Sequence, residues 1–457
     1  MQTDTIVAVA TAAGRGGIGI VRVSGPLAES ISLAITRKSV EPRTALYTEF
    51  WVEQEPLDSG LCLYFPSPNS FTGECVVEFQ AHGGPVVLDL LVREAIELGA
   101  RQAEPGEFSQ RAFLNDKLDL AQAEAIADLI NSSTEQAARS AGRSLKGAFS
   151  KKIHSLSQEI IDLRIFVEAA IDFPEEEIDF IGQGQVKEKL SVILEKFEAV
   201  NSEAKQGTLL TEGMKLVIVG KPNAGKSSLL NALSGRDLAI VTAVAGTTRD
   251  VLRDDIQIAG MPVHIVDTAG LRDSEDEIEQ EGIRRAHHEM ESADHLLLVT
   301  DSESNESTTQ HLQQLKQLAG QYFSDAVPIT VVANKCDLVE REPTVYSDKN
   351  RQTSAKTIVL SAKTGAGMDL LKQHLADSMG YKVNQEGQFS ARRRHLEALK
   401  KTGQFLSSGQ EMLNNQSAAE LLAEDLRHAH LALGEITGTY STDDLLGDIF
   451  SSFCIGK

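Results

Sequence analysis

A glycine-rich stretch near the middle of the chain has the residue types needed to hold phosphate groups. Residues 220–227 read GKPNAGKS and fit the spacing G-x-x-x-x-G-K-[ST], with the strand-like MKLVIVG before them and the helix-like SSLLNAL after them. In such a loop, backbone N–H groups surround the phosphates, a lysine reaches the β and γ oxygens, and a hydroxyl binds Mg²⁺. Lys226 is therefore the predicted catalytic cation and Ser227 a predicted magnesium ligand. The predicted phosphate site comprises Asn223, Ala224, Gly225, Lys226, Ser227 and Ser228.

Two further stretches, AGTTRD and DTAG, carry side chains suited to the terminal phosphate. Asp267 ends an apolar strand-like segment, where a second carboxylate for Mg²⁺ is needed. Thr248 can close over Mg²⁺ only while the γ-phosphate is present, which predicts an order–disorder switch. Gly270 lets its backbone N–H approach the γ-phosphate. The predicted GTP-binding residues here are Thr242, Ala243, Val244, Ala245, Gly246, Thr247, Thr248, Asp267, Thr268, Ala269 and Gly270.

The segment NKCD predicts which base is read. The carboxylate of Asp337 can accept hydrogen bonds from N1–H and the exocyclic amine of guanine, a donor pair that adenine lacks. A site built on such bonds rejects the wrong partner by roughly 10⁴-fold or more. A second segment, SAK, follows the next predicted strand, where a backbone N–H can meet guanine O6. These motifs predict GTP binding by Asn334, Lys335, Asp337, Ser361, Ala362 and Lys363.

The segments around these motifs predict the elements that position them. Residues 211–380 alternate helices with apolar strands, which indicates a parallel sheet covered on both faces, a Ras-like P-loop GTPase domain. The predicted strands are MKLVIVG, AIVTAVAG, PVHIVDTAG, DHLLLVT, PITVVANK and TIVLSAK. Residues 118–210 and 381–457 have helical spacing, and the helical pattern of the first segment continues to about Ala204. The GTPase domain is therefore predicted to be inserted into a helical domain. Residues 1–117 mix short strands with helices, as in an α+β domain. The predicted fold class is therefore multidomain, α/β and α.

Composition limits the other function classes. The 457 residues carry a formal net charge of −22, which argues against a surface coated for nonspecific nucleic-acid binding. The four cysteines are scattered and form no CxxC, so neither a zinc site nor a disulfide framework is indicated. No apolar run approaches the ~20 residues of a membrane span. We expect a cytoplasmic protein that does not contact membranes.

The spacing G-x-G-x-x-G at residues 14–19 resembles a dinucleotide site. A strand-like segment precedes it, but the following residues look like another strand instead of the helix that such a site requires. A tight loop between two strands is the favoured interpretation.

Over essentially its whole length, the chain resembles the MnmE (TrmE) family of tRNA-modification GTPases. The resemblance is carried by GKPNAGKSSLLNAL, AGTTRD, DTAGLR, GRGGIGIVRVSG, PGEFSQRAFLNDKLDLAQAEAI and FCIGK, with Asp116 as a departure where a small residue is expected. It implies an N-terminal folate-binding domain that forms a homodimer, a helical domain and an inserted GTPase domain. It also implies that the protein works with the flavoprotein MnmG on tRNA. Together they would add a (carboxymethyl)aminomethyl group to C5 of the wobble uridine, using a folate one-carbon unit.

The resemblance also implies how GTP is hydrolysed. Leu271 follows DTAG, where the best-known small GTPases have a glutamine that orients the attacking water. The family instead uses a potassium ion, which acts when two GTPase domains meet, and a glutamate, which corresponds to Glu279. The implied potassium ligands are Asn223, Thr242, Val244 and Thr247.

The resemblance implies two further sites, and the sequence itself offers basic patches for tRNA. The folate, 5-formyltetrahydrofolate or a relative of it, would be bound by Arg22, Glu78, Lys117 and Lys457. Cys454 would lie near the modification centre, as a catalytic thiol or as part of a gate. The alternative is a small buried apolar residue. The best local basic patches for tRNA are residues 392–395 and 139–152.

Two alternatives belong to different functional classes. One is a ribosome-assembly GTPase, which usually carries a second GTPase domain or an RNA-binding appendage. The other is a GTP-controlled scaffold with little turnover, which slow hydrolysis in the presence of both Mg²⁺ and K⁺ would favour.

Overall fold

The computed structural model describes residues 4–172, 185–234, 253–267, 293–303, 309–313, 327–347, 355–381, 388–414, 419–440, 443–451, 453 and 455–456. The chain divides into two compact units. The first comprises residues 1–127, 145–194 and 398–457, and the second comprises residues 128–144 and 195–397. Among the described helices, none combines the length and apolar character that a membrane span needs. The three predicted domain boundaries stay predictions.

The first unit contains a six-stranded sheet with the order β3-β4-β5-β2-β1-β6. Only the pair β1–β6 is parallel, and the other neighbours are antiparallel. The strands are β1 (Ile6–Val9), β2 (Gly16–Ser24), β3 (Leu46–Val52), β4 (Glu55–Phe65), β5 (Val76–Gly83) and β6 (Arg101–Gln102). The helices of this part are α1 (Ala28–Thr36), α2 (Pro85–Glu97) and α3 (Glu107–Leu114).

Strand alternation gives this sheet two different faces. Val21 and Val23 of β2 point into a core that also contains Ile31 of α1 and Leu91 of α2. Because successive side chains of a strand point to opposite faces, Arg22 lies on the other face. The residues after Gly14 continue as β2, so the G-x-G-x-x-G stretch opens a strand and not a helix, as predicted.

The helical segments follow the predicted pattern with one extension. The described helices are α4 (Leu120–Asn131), α5 (Glu135–Leu145), α6 (Ala148–Asp172), α7 (Gln185–Glu212), α10 (Arg393–Asn414), α11 (Ala419–Thr437) and α12 (Asp443–Ser451). We expected α7 to end near Ala204, but it continues to Glu212 through Gly207. A Cβ atom at Gly207 would lie 2.2 Å from the carbonyl oxygen of Phe389, so glycine here permits a close backbone approach.

The second unit contains a seven-stranded sheet with the order β12-β13-β11-β10-β7-β9-β8. Its strands are β7 (Met214–Gly220), β8 (Arg253–Ile258), β9 (Met261–Asp267), β10 (His295–Asp301), β11 (Ile329–Asn334), β12 (Thr344–Ser347) and β13 (Lys356–Val359). Its described helices include α8 (Lys226–Ser234) and α9 (Met368–Ser378). The buried strands β7, β10 and β11 read as nearly continuous apolar runs, as expected for a covered parallel sheet.

The parallel sheet predicted for this region is confirmed in its five central strands. Two strands at the edges of the sheet were not predicted. They are β8, which pairs antiparallel with β9, and β12, which pairs antiparallel with β13. The predicted strand AIVTAVAG lies outside the described residues. Strand β7 has β9 on one side and β10 on the other, so the chain builds the sheet in opposite directions from β7. The carboxyl end of β7 is therefore a topological switch point. Open α/β sheets bind ligands at such a point.

Candidate functional site

The phosphate loop connects the end of β7 to the start of α8. Gly220 and Gly225 have φ values of 154° and 94°, and Asn223 has a φ of 61°. A Cβ atom at Gly220 would lie 2.3 Å from the carbonyl oxygen of Val299, and one at Gly225 would lie 2.2 Å from Nδ2 of Asn334. Both glycines therefore permit close approaches that any other residue would block.

The start of α8 presents hydrogen-bond donors and a cation together. Nζ of Lys226 donates to the carbonyl oxygens of Gly220 at 2.9 Å and Lys221 at 3.2 Å, so the ammonium lies against the loop. Ser227 and Ser228 lie in the first turn of the helix. The first N–H groups of a helix have no intrahelical acceptor, which makes this terminus a site for an anion such as phosphate.

Asn334 joins three of the predicted motifs. It ends β11 and is 2% exposed. Its Nδ2 donates to the carbonyl oxygen of Ala224 in the phosphate loop at 3.0 Å. Its Oδ1 accepts from the backbone N–H groups of Ala362 at 3.0 Å and Lys335 at 2.8 Å. One buried amide thus fixes the spacing between the phosphate loop and the two segments predicted to contact the base.

The NKCD segment turns sharply after β11. Lys335 has a φ of 64° and precedes the 3₁₀ turn Cys336–Leu338, in which Asp337 is exposed. The SAK segment leaves the neighbouring strand, and Ser361 is fully buried, with its Oγ accepting from the backbone N–H of Thr364 at 3.2 Å. An exposed carboxylate beside a rigid backbone edge can pair with donors on a purine.

A second polar site lies on the other face of the N-terminal sheet. Arg22 and Glu78 are register partners on β2 and β5. Nε of Arg22 donates to Oε1 of Glu78 at 2.9 Å, and Nη2 lies 2.8 Å from the same oxygen. The guanidinium also lies 5.4 Å from the ring centre of Phe71 and 5.7 Å from that of Phe108. Arginine, carboxylate and aromatic side chains can together bind a flat polar ligand.

Residues 71–73 connect this ion pair to Lys117. Phe71 contacts Arg22, the carbonyl oxygen of Thr72 accepts from Nδ2 of Asn115 at 2.7 Å, and Lys117 lies beside Gly73. Asp116, where the family pattern predicted a small residue, has a φ of 53°. Aspartate tolerates this conformation because its short side chain can form local hydrogen bonds.

A buried charge network lies beneath this loop. Arg111 is 1% exposed and donates to the carboxylates of Asp4, Glu74 and Glu107. Burial opposes ionisation of Glu107, but the hydrogen bonds from Arg101 and from its other donors prevail, so the pKa of Glu107 is lower than usual.

Comparison with known proteins decides the family. The family model for the MnmE helical domain matches residues 120–454, and the model for the GTP-binding protein TrmE N-terminus matches residues 5–117. The tRNA modification GTPase MnmE of Ectopseudomonas mendocina is 58% identical over 99% of both chains, and that of Vibrio cholerae is 56% identical over the full length of both chains. The chain belongs to the MnmE family.

Among solved structures, a variant of Aquifex aeolicus Era bound to GDP.AlF4- is 24% identical over 42% of this chain and 66% of that chain. Its TM-score is 0.29.

Several site residues predicted from the motifs or from the MnmE resemblance lie outside the described part of the chain. Asp267 is described only as the last residue of β9, opposite Ile218 of β7. The others comprise most of the predicted switch residues, the hydrolytic glutamate and two residues of the C-terminal tail. They are Thr242, Ala243, Val244, Ala245, Gly246, Thr247, Thr248, Thr268, Ala269, Gly270, Leu271, Glu279, Cys454 and Lys457.

Two residues of the C-terminal tail of this MnmE-family chain, Ile455 and Gly456, lie within the described part of the chain. Ile455 forms an antiparallel bridge with Pro105, and a Cβ atom at Gly456 would lie 2.1 Å from the carbonyl oxygen of Val9. Val9 pairs with Val21, the neighbour of Arg22 in β2. The described part of the tail therefore lies along the strand next to the one that carries Arg22.

Two arginines of the basic segment at residues 392–395 form ion pairs within their own unit. Arg392 lies 2.6 Å from Asp128, and Arg393 lies 2.8 Å from Glu212. His395 is 2% exposed. Two of the three arginines thus pair with acids of the same unit, and the tRNA patch stays a prediction.

Sequence reasoning missed two contributors to the sites. Asp301, at the end of β10, lies 2.6 Å from Nζ of Lys335. The sequence does contain a signal for Asp301, because this acid ends the strand next to the one that leads into NKCD. Phe108 lies near Arg22 only because of the fold, and nothing in the local sequence indicates it.

Proposed function

We propose that this protein is a GTPase that takes part in tRNA modification, with GTP bound at the carboxyl ends of β7, β10 and β11. The observation that carries the proposal is the set of bonds made by Asn334, which joins the phosphate loop to both base-reading segments. Membership of the MnmE family supports the tRNA role, since the relatives are named tRNA modification GTPases.

In this proposal each motif has a defined task. Lys226 leaves the loop carbonyl oxygens and pairs with the β and γ oxygens of GTP, where charge develops during cleavage. The N–H groups at the start of α8 hold the β-phosphate. Asp337 accepts hydrogen bonds from guanine, while the SAK loop, fixed through Asn334, closes the other side of the base.

The residues present fit a magnesium ion. Ser227 lies at the start of α8, and Asp267 ends β9, which pairs with β7 beside the phosphate loop. Hydroxyl and carboxylate oxygens are ligands that Mg²⁺ prefers. We assign Ser227, Thr248 and Asp267 to it. When bound, the ion would neutralise charge on the phosphates.

A potassium ion and a glutamate are proposed in place of the missing glutamine. Asn223 is exposed in the phosphate loop, so its side-chain oxygen can face a cation there. We assign this oxygen, together with oxygens of Thr242, Val244 and Thr247, to K⁺. Glu279 would orient the attacking water. In this proposal, hydrolysis accelerates when two GTPase domains of a homodimer meet.

The N-terminal sheet is proposed to bind 5-formyltetrahydrofolate or a related folate. Glu78 can accept two hydrogen bonds from an aminopyrimidine edge, Arg22 and Lys117 suit anionic groups, and Phe71 offers a ring face beside them. Lys457 and the thiol of Cys454 are assigned to the same centre. The bound folate would supply the one-carbon unit.

The remaining assignments complete the proposed reaction. The protein acts in the cytoplasm with the flavoprotein MnmG, and the pair adds the (carboxymethyl)aminomethyl group to the wobble uridine of tRNA. Residues 1–117 form the folate-binding and dimerisation domain, 118–210 with 381–457 the helical domain, and 211–380 the GTPase domain.

Analysis of wobble nucleosides tests the tRNA role. A bacterial strain that lacks its own MnmE-family protein is complemented with the wild-type chain or with Lys226→Ala, and its tRNA is hydrolysed and examined by mass spectrometry. We expect the modified uridine with the wild type and its loss with the variant. Unmodified uridine in both strains, with both proteins present at equal levels, would contradict the proposal and favour the ribosome-assembly or scaffold alternative.

A further inference from the structure

An ion pair spans the two strand ends that lead to the base-reading segment. Nζ of Lys335 lies 2.6 Å from Oδ2 of Asp301, and the side chains are 31% and 30% exposed. The other carboxylate oxygen of Asp301, Oδ1, accepts from the backbone N–H of Glu303 at 3.1 Å. Burial opposes ionisation, but the Lys335 bond and the other donors prevail, so the pKa of Asp301 is lower than usual. The carboxylate is thus charged, and both of its oxygens are engaged.

The backbone fixes where this pair lies. Asp301 and Asn334 are register partners on the parallel strands β10 and β11. The backbone N–H of Ser302 donates to the carbonyl oxygen of Asn334 at 2.8 Å, which continues the pairing past the strand end. Lys335 then enters the left-handed region, with a φ of 64°. The carboxylate therefore contacts the lysine that directly follows Asn334.

The pair constrains the course of the lysine side chain. A free lysine stem samples many rotamers, and ordering it has a cost in conformational entropy. Because the ammonium is held at Asp301, the four methylene groups must span from the backbone of Lys335 to that carboxylate. Lysine commonly covers apolar surface with its stem while its charged head stays with a polar partner.

We propose that Asp301 is a positioning residue for guanine-nucleotide binding, holding Lys335 so that its stem covers one face of the purine ring. The inference rests on the proposed GTP site, and it adds to that site a residue outside the five sequence motifs. A half-buried ion pair that serves stability alone would not affect nucleotide affinity.

A double-mutant cycle on the full-length protein separates these roles. Asp301→Asn keeps an acceptor for the Glu303 N–H but loses the charge, and Lys335→Met keeps most of the stem but loses the ammonium. The dissociation constant of fluorescent mant-GDP is measured for the wild type, both single variants and the double variant. We expect each single change to weaken binding about three- to tenfold, and the double variant to be no weaker than Lys335→Met, because contacting residues act non-additively.

The exposed acid Glu303, two residues from Asp301, offers a matched control. Glu303→Gln removes a nearby negative charge without touching the ion pair, and we expect it to leave mant-GDP affinity within about twofold of the wild type. For Asp301→Asn we also expect a raised KM for GTP with kcat at saturation nearly unchanged. A general loss of structure would instead lower kcat and the melting temperature.

Two results would overturn the inference. One is mant-GDP affinity of Asp301→Asn equal to that of the wild type, and the other is additive effects of the two substitutions. If Asp301→Asn unfolds, Lys335→Met breaks the pair from the other side, and unchanged affinity in that variant would equally contradict it. Failure of the wild type to bind mant-GDP would instead contradict the proposed function itself.

Discussion

The molecule has two candidate sites that differ in which atoms form them. One is the nucleotide edge, which is the proposed GTP site at the carboxyl ends of β7, β10 and β11, and the other is the Arg22–Glu78 site of the N-terminal sheet. At the nucleotide edge, backbone groups and a helix terminus form most of the site, and Asn334 connects loops that follow successive strands. At the N-terminal site, the groups are side chains brought together across strands, with Arg22 and Glu78 separated by 56 residues.

This difference explains why the sequence predicts one site and not the other. A backbone-built phosphate site needs glycines at fixed spacing, and Gly220 and Gly225 show this directly, because any side chain there would collide with Val299 or Asn334. A site built from side chains across strands needs no local pattern. Isolated from the fold, Arg22 and Glu78 are indistinguishable from surface charges.

The largest expected effect comes from removing the cation of the nucleotide edge. Lys226→Ala should reduce GTP hydrolysis about 10²–10³-fold or more, since preorganised charge at the transferred phosphate is lost. Binding of 5-formyltetrahydrofolate, measured by calorimetry, should be unchanged in the same variant. If Lys226→Ala lost folate binding as well as GTP hydrolysis, the two sites would not be independent, which would contradict this comparison.

Asn334→Ala should be the most damaging change to the structure of the nucleotide edge. The substitution leaves the Ala224 carbonyl oxygen and two N–H groups without their partner, and we expect a loss of about 3 kcal/mol in the free energy of unfolding of this unit. Chemical denaturation measures it. A substitution in the other unit, Arg22→Met, is the comparison and should spare this transition.

Acid should weaken the two units in different pH ranges. Burial, with the nearby His374, lowers the pKa of His295 to about 4 from 6.5, so the folded chain binds fewer protons than the unfolded chain. Above pH 6.5 the titration of His295 does not lower the free energy of unfolding. As the pH falls from 6.5 towards 4, this free energy decreases by up to about 3 kcal/mol. Glu107 has a lowered pKa, so its contribution is lost only as the pH falls below 4.5.

Hydrogen exchange followed by mass spectrometry between pH 7 and 4 checks this order. Peptides from β10, β11 and α9, which contain His295, Thr330 and His374, should lose protection first. Peptides from α3 should lose it at lower pH. In His295→Gln, the loss of protection in the first set of peptides should depend less on pH. Loss of protection at the same pH in both sets of peptides would contradict the assignment of the first transition to His295.

The smallest effect is expected at the N-terminal site. Arg22→Met removes the partner of Glu78 and should weaken folate binding about tenfold, or roughly 1.4 kcal/mol. GTP hydrolysis should be unaffected. Arg37→Met is a matched control, because Arg37 stacks on Trp51 at 3.7 Å and is not assigned to the folate site. Equal loss of folate affinity in both variants would contradict the assignment of Arg22.

The sequence predicted the parallel sheet and the glycine positions because hydrophobic runs and close backbone approaches leave local patterns. It did not predict β8 and β12, whose short polar edge segments resemble loops. It also did not predict the extension of α7 through Gly207, a residue unfavourable in helices unless tertiary contacts require it. The Asp301–Lys335 pair and the contact of Phe108 with Arg22 depend on tertiary packing.

The most direct test of the central claim is the rate of GTP hydrolysis by the purified protein with Mg²⁺, measured in KCl and in NaCl at equal ionic strength. The account predicts turnover at least about tenfold faster in KCl, since a cation in the place of an arginine finger contributes ~10³–10⁵-fold in rate. It also predicts that Asn223→Ala abolishes this preference. Equally fast turnover in the two salts would contradict it.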